Sequence, residues 1–162
     1  MIFELCTDSF KGAKLAQQYG AKRIELCSAL SVGGLTPSPT ITAICATIPQ
    51  VETHVMIRPR EGDFVYSAVE LEVMLKDIQL QAEAGAKGVV FGCLTKENSI
   101  DVQQNITLVE EARKYGLECT FHRAFDFVDS PIEALESLIN IGFKRILASG
   151  GKPTAIEAIE EI

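Results

Sequence analysis

Short apolar runs alternate with longer amphipathic ones along the chain. The runs Ile2–Cys6, Arg23–Cys27, Thr53–Ile57, Gly88–Gly92, Cys119–His122 and Arg145–Ser149 read as strands. Between them the spacing predicts helices over Phe10–Tyr19, Pro39–Ile48, Ala68–Ala84, Val102–Tyr115 and Ile132–Ile141, and a last one in TAIEAIEEI (154–162). The starts carry capping residues. Ser9, Asp101 and Ser130 precede helices, Pro131 takes the first helical position, and Ser67 with Glu70 three residues on forms a capping box. Four helices are expected to stop at Gly20, Gly85, Gly116 and Gly142, in a recurring turn written Y-G-A-K, A-G-A-K, Y-G-L-E and I-G-F-K.

Six β-α units in succession imply a parallel sheet. In a doubly wound sheet both strand faces lie under helices and read as continuous apolar runs. These strands alternate instead. Phe3/Leu5, Ile24/Leu26, Val55/Ile57, Phe121 and Ile146/Ala148 are apolar. The alternating positions are Glu4/Cys6, Glu25/Cys27, His54/Met56/Arg58, Thr120/His122 and Arg145/Leu147/Ser149. Burying those charges under helices is costly without partners. A barrel turns them inward, where they can pair and reach water at the mouth. The expected fold is therefore α/β, a TIM-type (β/α)8 barrel. A full barrel of this type needs about 250 residues, and TAIEAIEEI stops with no capping Gly or basic residue. One domain over residues 1–162 is expected, truncated to about six units and lacking strands seven and eight, with strands one and six as bare edges.

Composition narrows the function. With 162 residues and 47% hydrophobic content the chain can bury a sizeable core, and its net charge of −7 argues against nucleic acid and anionic membranes as partners. No apolar run approaches a membrane span, and MIFELCTDSFKG lacks the pattern of a secretory signal, so a cytoplasmic location is expected. Five cysteines, an odd number without C-x-x-C spacing, argue against a disulfide framework or a zinc ribbon.

The chemistry gathers at the expected mouth of the barrel, at the strand C-terminal ends. In MIRPREGDFVYS, Arg58 and Arg60 flank Pro59 and could fork onto a carboxylate or phosphate. They could equally neutralise Glu4, Glu25 and Asp63. In TFHRAFD, His122 stands where a proton-moving group would, with Arg123 and Asp126 in reach; the alternative is a hydrogen-bonded interior histidine. ASGGKPT offers backbone N–H groups around Ser149, Gly150 and Gly151 that suit an anion or simply make a tight turn, and SVGGLTPS (31–38) has the same ambiguity.

The tripeptide Glu-Leu-Cys occurs twice, at 4–6 and 25–27. On neighbouring strands Cys6 and Cys27 could face each other and, with Met56, suit a soft ion such as Cu(I); as small hydrophobes they could equally fill the interior. Glu4 and Glu25 would then also be neighbours. One pKa should rise unless an arginine compensates, giving either a paired acid and base or a charge network with Arg145, His54 and Arg58.

The stretches ELCTDS, RIELCSALSVGGLTPS, VMIRPREGDFVYS, GVVFGCLT, TFHRAFD and RILASGG resemble the CutC family, named for copper homeostasis, over nearly the whole chain. The resemblance implies a TIM-type barrel, a cytosolic location, a homodimer and two further strands beyond Ile162. It also implies Cu(I) on the thiols at the ends of strands one and two, here Cys6 and Cys27; nothing transfers to Cys45, Cys93 or Cys119. Two expectations follow, with a scaffolding barrel as a third. One is a Cu(I)-binding protein of copper homeostasis, with Met56 as a possible third ligand. The other is an enzyme acting on a small phosphate or carboxylate. There Arg58, Arg60, Arg123 and the Ser149–Gly151 turn hold the anion, and His122, Glu4, Glu25 or Asp126 moves a proton.

Overall fold

The computed structural model describes residues 2–160 and 162. Six parallel strands, β1 (Glu4–Thr7), β2 (Arg23–Leu26), β3 (Glu52–Met56), β4 (Gly88–Phe91), β5 (Glu118–Phe121) and β6 (Arg145–Ile146), pair in sequence order. The helices α1 (Phe10–Gln18), α2 (Pro39–Ala46), α3 (Ala68–Glu83), α4 (Val102–Lys114) and α5 (Pro131–Ile141) connect them. The result is a half-barrel of the TIM type, as the alternating β-α pattern implies. Short 3-10 turns, Leu30–Val32, Arg123–Phe127 and Ala155–Ala158, sit in the connections after β2, β5 and β6.

Ser9 and Asp101 accept from the backbone N–H of Gly12 and Gln104 as the sequence implies, and Ser67 and Glu70 close the capping box of α3. Ser38 caps α2 in the same way by accepting from Ile41 N–H, whereas Ser130 precedes α5 without a side-chain capping bond. Gly20, Gly85, Gly116 and Gly142 all have positive φ and end the helices before β2, β4, β5 and β6.

Each strand splits its side chains between two environments. Ile24 and Leu26 pack outward on Ala13 and Ala16 of α1 and Cys45 of α2. Val55, Val89, Phe91, Cys119 and Phe121 pack outward on Met74, Ile78, Leu108 and Leu138 of α3 to α5. A fully buried Phe91 or Phe121 contributes roughly 1.5–3 kcal/mol of hydrophobic stabilisation. The inner face carries Cys27, Met56 and Val90 as a small cluster of its own, with the polar positions around them.

Most element boundaries fall one or two residues from expectation, and three differences are instructive. β1 begins at Glu4, with Ile2 and Phe3 exposed ahead of it. β6 is two residues long, extended by one bond from Leu147 N–H to the Phe121 carbonyl; beyond that, Ser149 leaves the ladder to bond Asp126. TAIEAIEEI forms only the turn Ala155–Ala158 instead of a helix, and its Glu161 lies outside the described residues. Helices this short draw their stability from a packed apolar face. Here only Ala158 of the turn is buried, while Ile156 and Ile159 are 81% and 74% exposed.

Glycine in β4 makes room for the inner layer. A Cβ on Gly88 would lie 2.3 Å from the buried His54 ring and 2.9 Å from the Glu118 carbonyl oxygen. Gly88→Ala is expected to cost about 1–3 kcal/mol, read as a lower urea midpoint at unchanged slope.

Candidate functional site

The pleat and the parallel register bring the repeated tripeptides together. Cys6 stands opposite Glu25 in the ladder, and Glu4 opposite Arg23, so the two copies are staggered by two residues. Cys27 continues the same inner row, its N–H bonded to the Thr7 carbonyl. The stagger still leaves the two Sγ atoms 3.8 Å apart, and Glu25 Oε1 accepts from both thiols, at 3.7 Å from Cys6 and 3.8 Å from Cys27. One ligand atom from each of Cys6, Glu25 and Cys27 lies within 4.8 Å of the others. Met56 packs against Cys27 on the neighbouring strand.

The carboxylates separate differently from the expected acid pair. Glu4 is tied by an ion pair to Arg23, a residue on the same face of β2 as Glu25. The spacing in R-I-E-L-C carried that signal, two residues before Glu25. Glu25 itself is buried and its Oε2 has no partner. Burial first, and then the charge of Glu4, push its carboxyl up to about 7, against the opposing thiol hydrogen bonds. The Cys27 thiol is pushed up by its bond with Cys6, then by burial and the nearby Glu25 charge. It therefore keeps its proton unless a metal displaces it.

Arg58 does not pair with Glu25. Its Nη atoms donate to the carbonyls of Val32 (2.9 Å), Gly34 (3.3 Å) and Gly62 (2.8 Å), clasping the loops after β2 and β3. Those loops sit tightly. Gly33 and Gly34 both have positive φ, and a Cβ on Gly34 would lie 3.1 Å from Cys27 Sγ. The SVGGLTPS glycines thus close a loop over Cys27 and Arg58. Arg60 points elsewhere, to Glu70, Asp63 and the Val65 carbonyl, where it braces the start of α3.

The Ser149–Gly151 turn does hold an anion, but an internal one. Asp126 Oδ1 accepts from the N–H groups of Ser149 (2.8 Å) and Gly151 (3.1 Å), and Oδ2 from Arg123 Nε (2.8 Å). Burial opposes ionisation of Asp126, yet these donors hold its carboxyl below the usual range. Asp126 and the turn are thereby spoken for, and Asp126 acts as a strut, not as the proton carrier first considered.

His122 is buried, and its Nδ1 accepts from the Ala124 N–H at 3.3 Å, which puts the ring proton on Nε2. Nε2 has no partner. Burial and the charge of Arg58 lower its pKa to about 3, so the ring is neutral at pH 7 and presents Nε2–H as an unused donor. Phe64, which the sequence did not single out, contacts both groups: its ring is 4.8 Å from that of His122 and 4.9 Å from the Arg58 guanidinium carbon.

These residues share one cavity of about 560 Å³ on the inner face and at the mouth of the sheet. Glu4, Cys6, Glu25, Met56, Arg58, His122 and Arg123 line it; Cys27, Arg60, Asp126, Ser149, Gly150 and Gly151 do not. Leu30, Val32, Phe64, Phe127 and Leu147 supply an apolar wall. None of the helices among the described residues is long and apolar enough to cross a membrane.

Comparison with known proteins places this arrangement. The sequence pattern of the CutC family matches residues 1–162. A CutC family protein from Porphyromonas gingivalis (strain ATCC BAA-308 / W83) is 46% identical over 162 residues, all of this chain and 64% of the relative. The human protein named copper homeostasis protein cutC homolog is 47% identical over 158 residues, 98% of this chain and 57% of the relative. The chain thus spans less than two thirds of the length of the curated relatives it matches. Among solved structures, a CutC protein from Streptococcus agalactiae superposes with a TM-score of 0.92 at 33% identity, covering 99% of this chain and 80% of that one. Deoxyribose phosphate aldolase from Aeropyrum pernix, at 15% identity and a TM-score of 0.60 over 92% of this chain and 62% of that one, shares the fold alone. With a full-length family match and a close structural counterpart, the chain belongs to the CutC family.

Proposed function

We propose that this chain is a Cu(I)-binding protein of copper homeostasis, acting in the cytoplasm as part of a homodimer, with Cys6 and Cys27 as ligands. The observation that carries the reading is the pair of Sγ atoms 3.8 Å apart with Glu25 within reach of both. Thiolates select soft ions, and Met56 beside Cys27 can add a thioether to the set. Cys6 and Cys27 would hold such an ion through their sulfurs, with Met56 and Glu25 placed to supply a further donor. The name of the human relative supports copper as the cargo; the location and the dimer rest on the family resemblance.

Glu25 also supports a second reading, an enzyme acting on a small anionic substrate, because it is the buried carboxyl in the cavity whose pKa, about 7, suits proton transfer near neutral pH.

Two measurements bear on these readings. Reduced protein titrated with Cu(I) against a competing chelator is expected to take up the ion and release protons. Cys6→Ser/Cys27→Ser is expected to lose that uptake, and equal stoichiometry in both proteins would remove the copper reading. For Glu25, a folded-state pKa raised from 4.5 to about 7 means that the folded protein binds the extra proton between those values. Its contribution to stability is therefore full below pH 4.5 and is lost as pH rises through 7. Urea unfolding of wild type and Glu25→Gln at pH 4.5 and 8 should show the difference between them shifting by roughly 3 kcal/mol in favour of the variant at the higher pH.

A further inference from the structure

The mouth contains a buried cation that the protein does not neutralise. Arg58 is 5% exposed, and its guanidinium Nη atoms donate to neutral backbone carbonyls. Among the described residues it forms no ion pair, unlike Arg23, Arg60, Arg123 and Arg145, each of which meets a carboxylate. Its Nε has no acceptor. A buried charge without a counter-charge is costly, and a bound anion relieves that cost.

A second orphan donor stands beside it. His122 Nε2–H has no acceptor, and the ring is kept from turning over to find one by the bond from Ala124 to Nδ1. Gly92 leaves the ring its place: a Cβ there would lie 2.9 Å from Nδ1. Phe64 touches both groups, and all three side chains line the cavity. A neutral imidazole donor and a guanidinium donor on one wall suit the two oxygens of a carboxylate.

Phosphate fits less well. The backbone nest at Ser149 and Gly151 is filled by Asp126 and lies outside this cavity, so it adds no donors for further phosphate oxygens. Leu30, Val32, Phe127 and Leu147 form the apolar part of the wall, and Glu4, Glu25 and Arg123 also line the cavity. The apolar part buries a hydrocarbon body, and the two acidic side chains oppose a dianion more than a monoanion.

We propose that this cavity binds a small monocarboxylate with an apolar body, its carboxylate held by Arg58 Nε–H and His122 Nε2–H and its body against Leu30, Val32 and Phe127. The Phe64 ring lies against both donors, so a ligand that reaches them shifts that ring. The site uses no metal and no proton transfer; it stands apart from the copper reading and names a ligand class for the small anion of the second reading, without resting on Glu25.

The test is calorimetric titration of the metal-free chain with 4-methylpentanoate and phenylacetate, against 4-methylpentanamide and inorganic phosphate. A carboxylate is expected to bind saturably and at least about tenfold more tightly than the amide or phosphate, as charge-assisted hydrogen bonds require. Arg58→Met is expected to abolish the preference for acid over amide. Because Arg58 also clasps two loops, a second readout uses ¹⁵N-histidine-labelled wild type: the His122 Nε2 resonance should move on adding the carboxylate and not on adding the amide. Cys6→Ser/Cys27→Ser should keep the carboxylate affinity within about twofold, since neither thiol contacts the proposed donors. No saturable carboxylate binding, equal affinity for acid and amide, phosphate binding as tight as carboxylate, or a bound carboxylate that leaves His122 Nε2 unmoved would each overturn the proposal.

Discussion

A curved parallel sheet with helices on one side has an inner face whose polar groups must find partners among themselves, and the rest of this protein follows from how far that pairing extends. At the N-terminal ends of the strands it is nearly complete. Glu4 meets Arg23, and Arg145 meets Glu118 and Thr120 and reaches His54. His54 is buried there, and its pKa is lowered to about 4, first by burial and then by the neighbouring arginines. Charges buried in this way are tolerable because each has an opposite charge or a donor beside it.

Towards the C-terminal ends the pairing gives out. Cys27, Glu25, Arg58 and His122 are all buried, and Glu25 Oε2, Arg58 Nε and His122 Nε2 have no partner among the described residues. Orphaned buried polar atoms are rare in folded proteins and concentrate where a ligand completes the set. The position agrees with the general placement of sites at this end of β/α barrels. The floor of the sheet holds the structure together, and the mouth retains chemistry that the structure does not consume.

The connecting loops decide how much chemistry remains. Arg123, Asp126 and Ser149 satisfy one another and become part of the scaffold. Arg60 is taken up by the start of α3. Arg58 spends its Nη groups on loop carbonyls and yet keeps its charge uncompensated, so it is both a clasp and an electrostatic feature of the cavity. Cys6 and the Arg58–His122 pair thus line one hollow, with Cys27 buried behind Cys6, and they offer different donors: soft sulfur at β1 and after β2, hard N–H groups after β3 and β5.

The strand alternation by itself determined which side chains face the helices and which face the hollow, because the period of two is a local property of extended backbone. Helix starts and stops were equally legible, since Ser67 with Glu70, or Gly142 after α5, acts within a few residues of chain. The last predicted helix failed because an amphipathic stripe needs a surface, and Ile156 and Ile159 meet none. Which polar residue partners which was decided only by tertiary structure. Arg58 bonds a carbonyl 26 residues away, Asp126 a turn 23 residues away, and the stagger of β1 against β2 gives Glu4 to Arg23 and leaves Glu25 to the thiols. Sequence names the charges on a face, but register and loop closure, which act across the ladder and between loops, choose the one neighbour that each charge can reach.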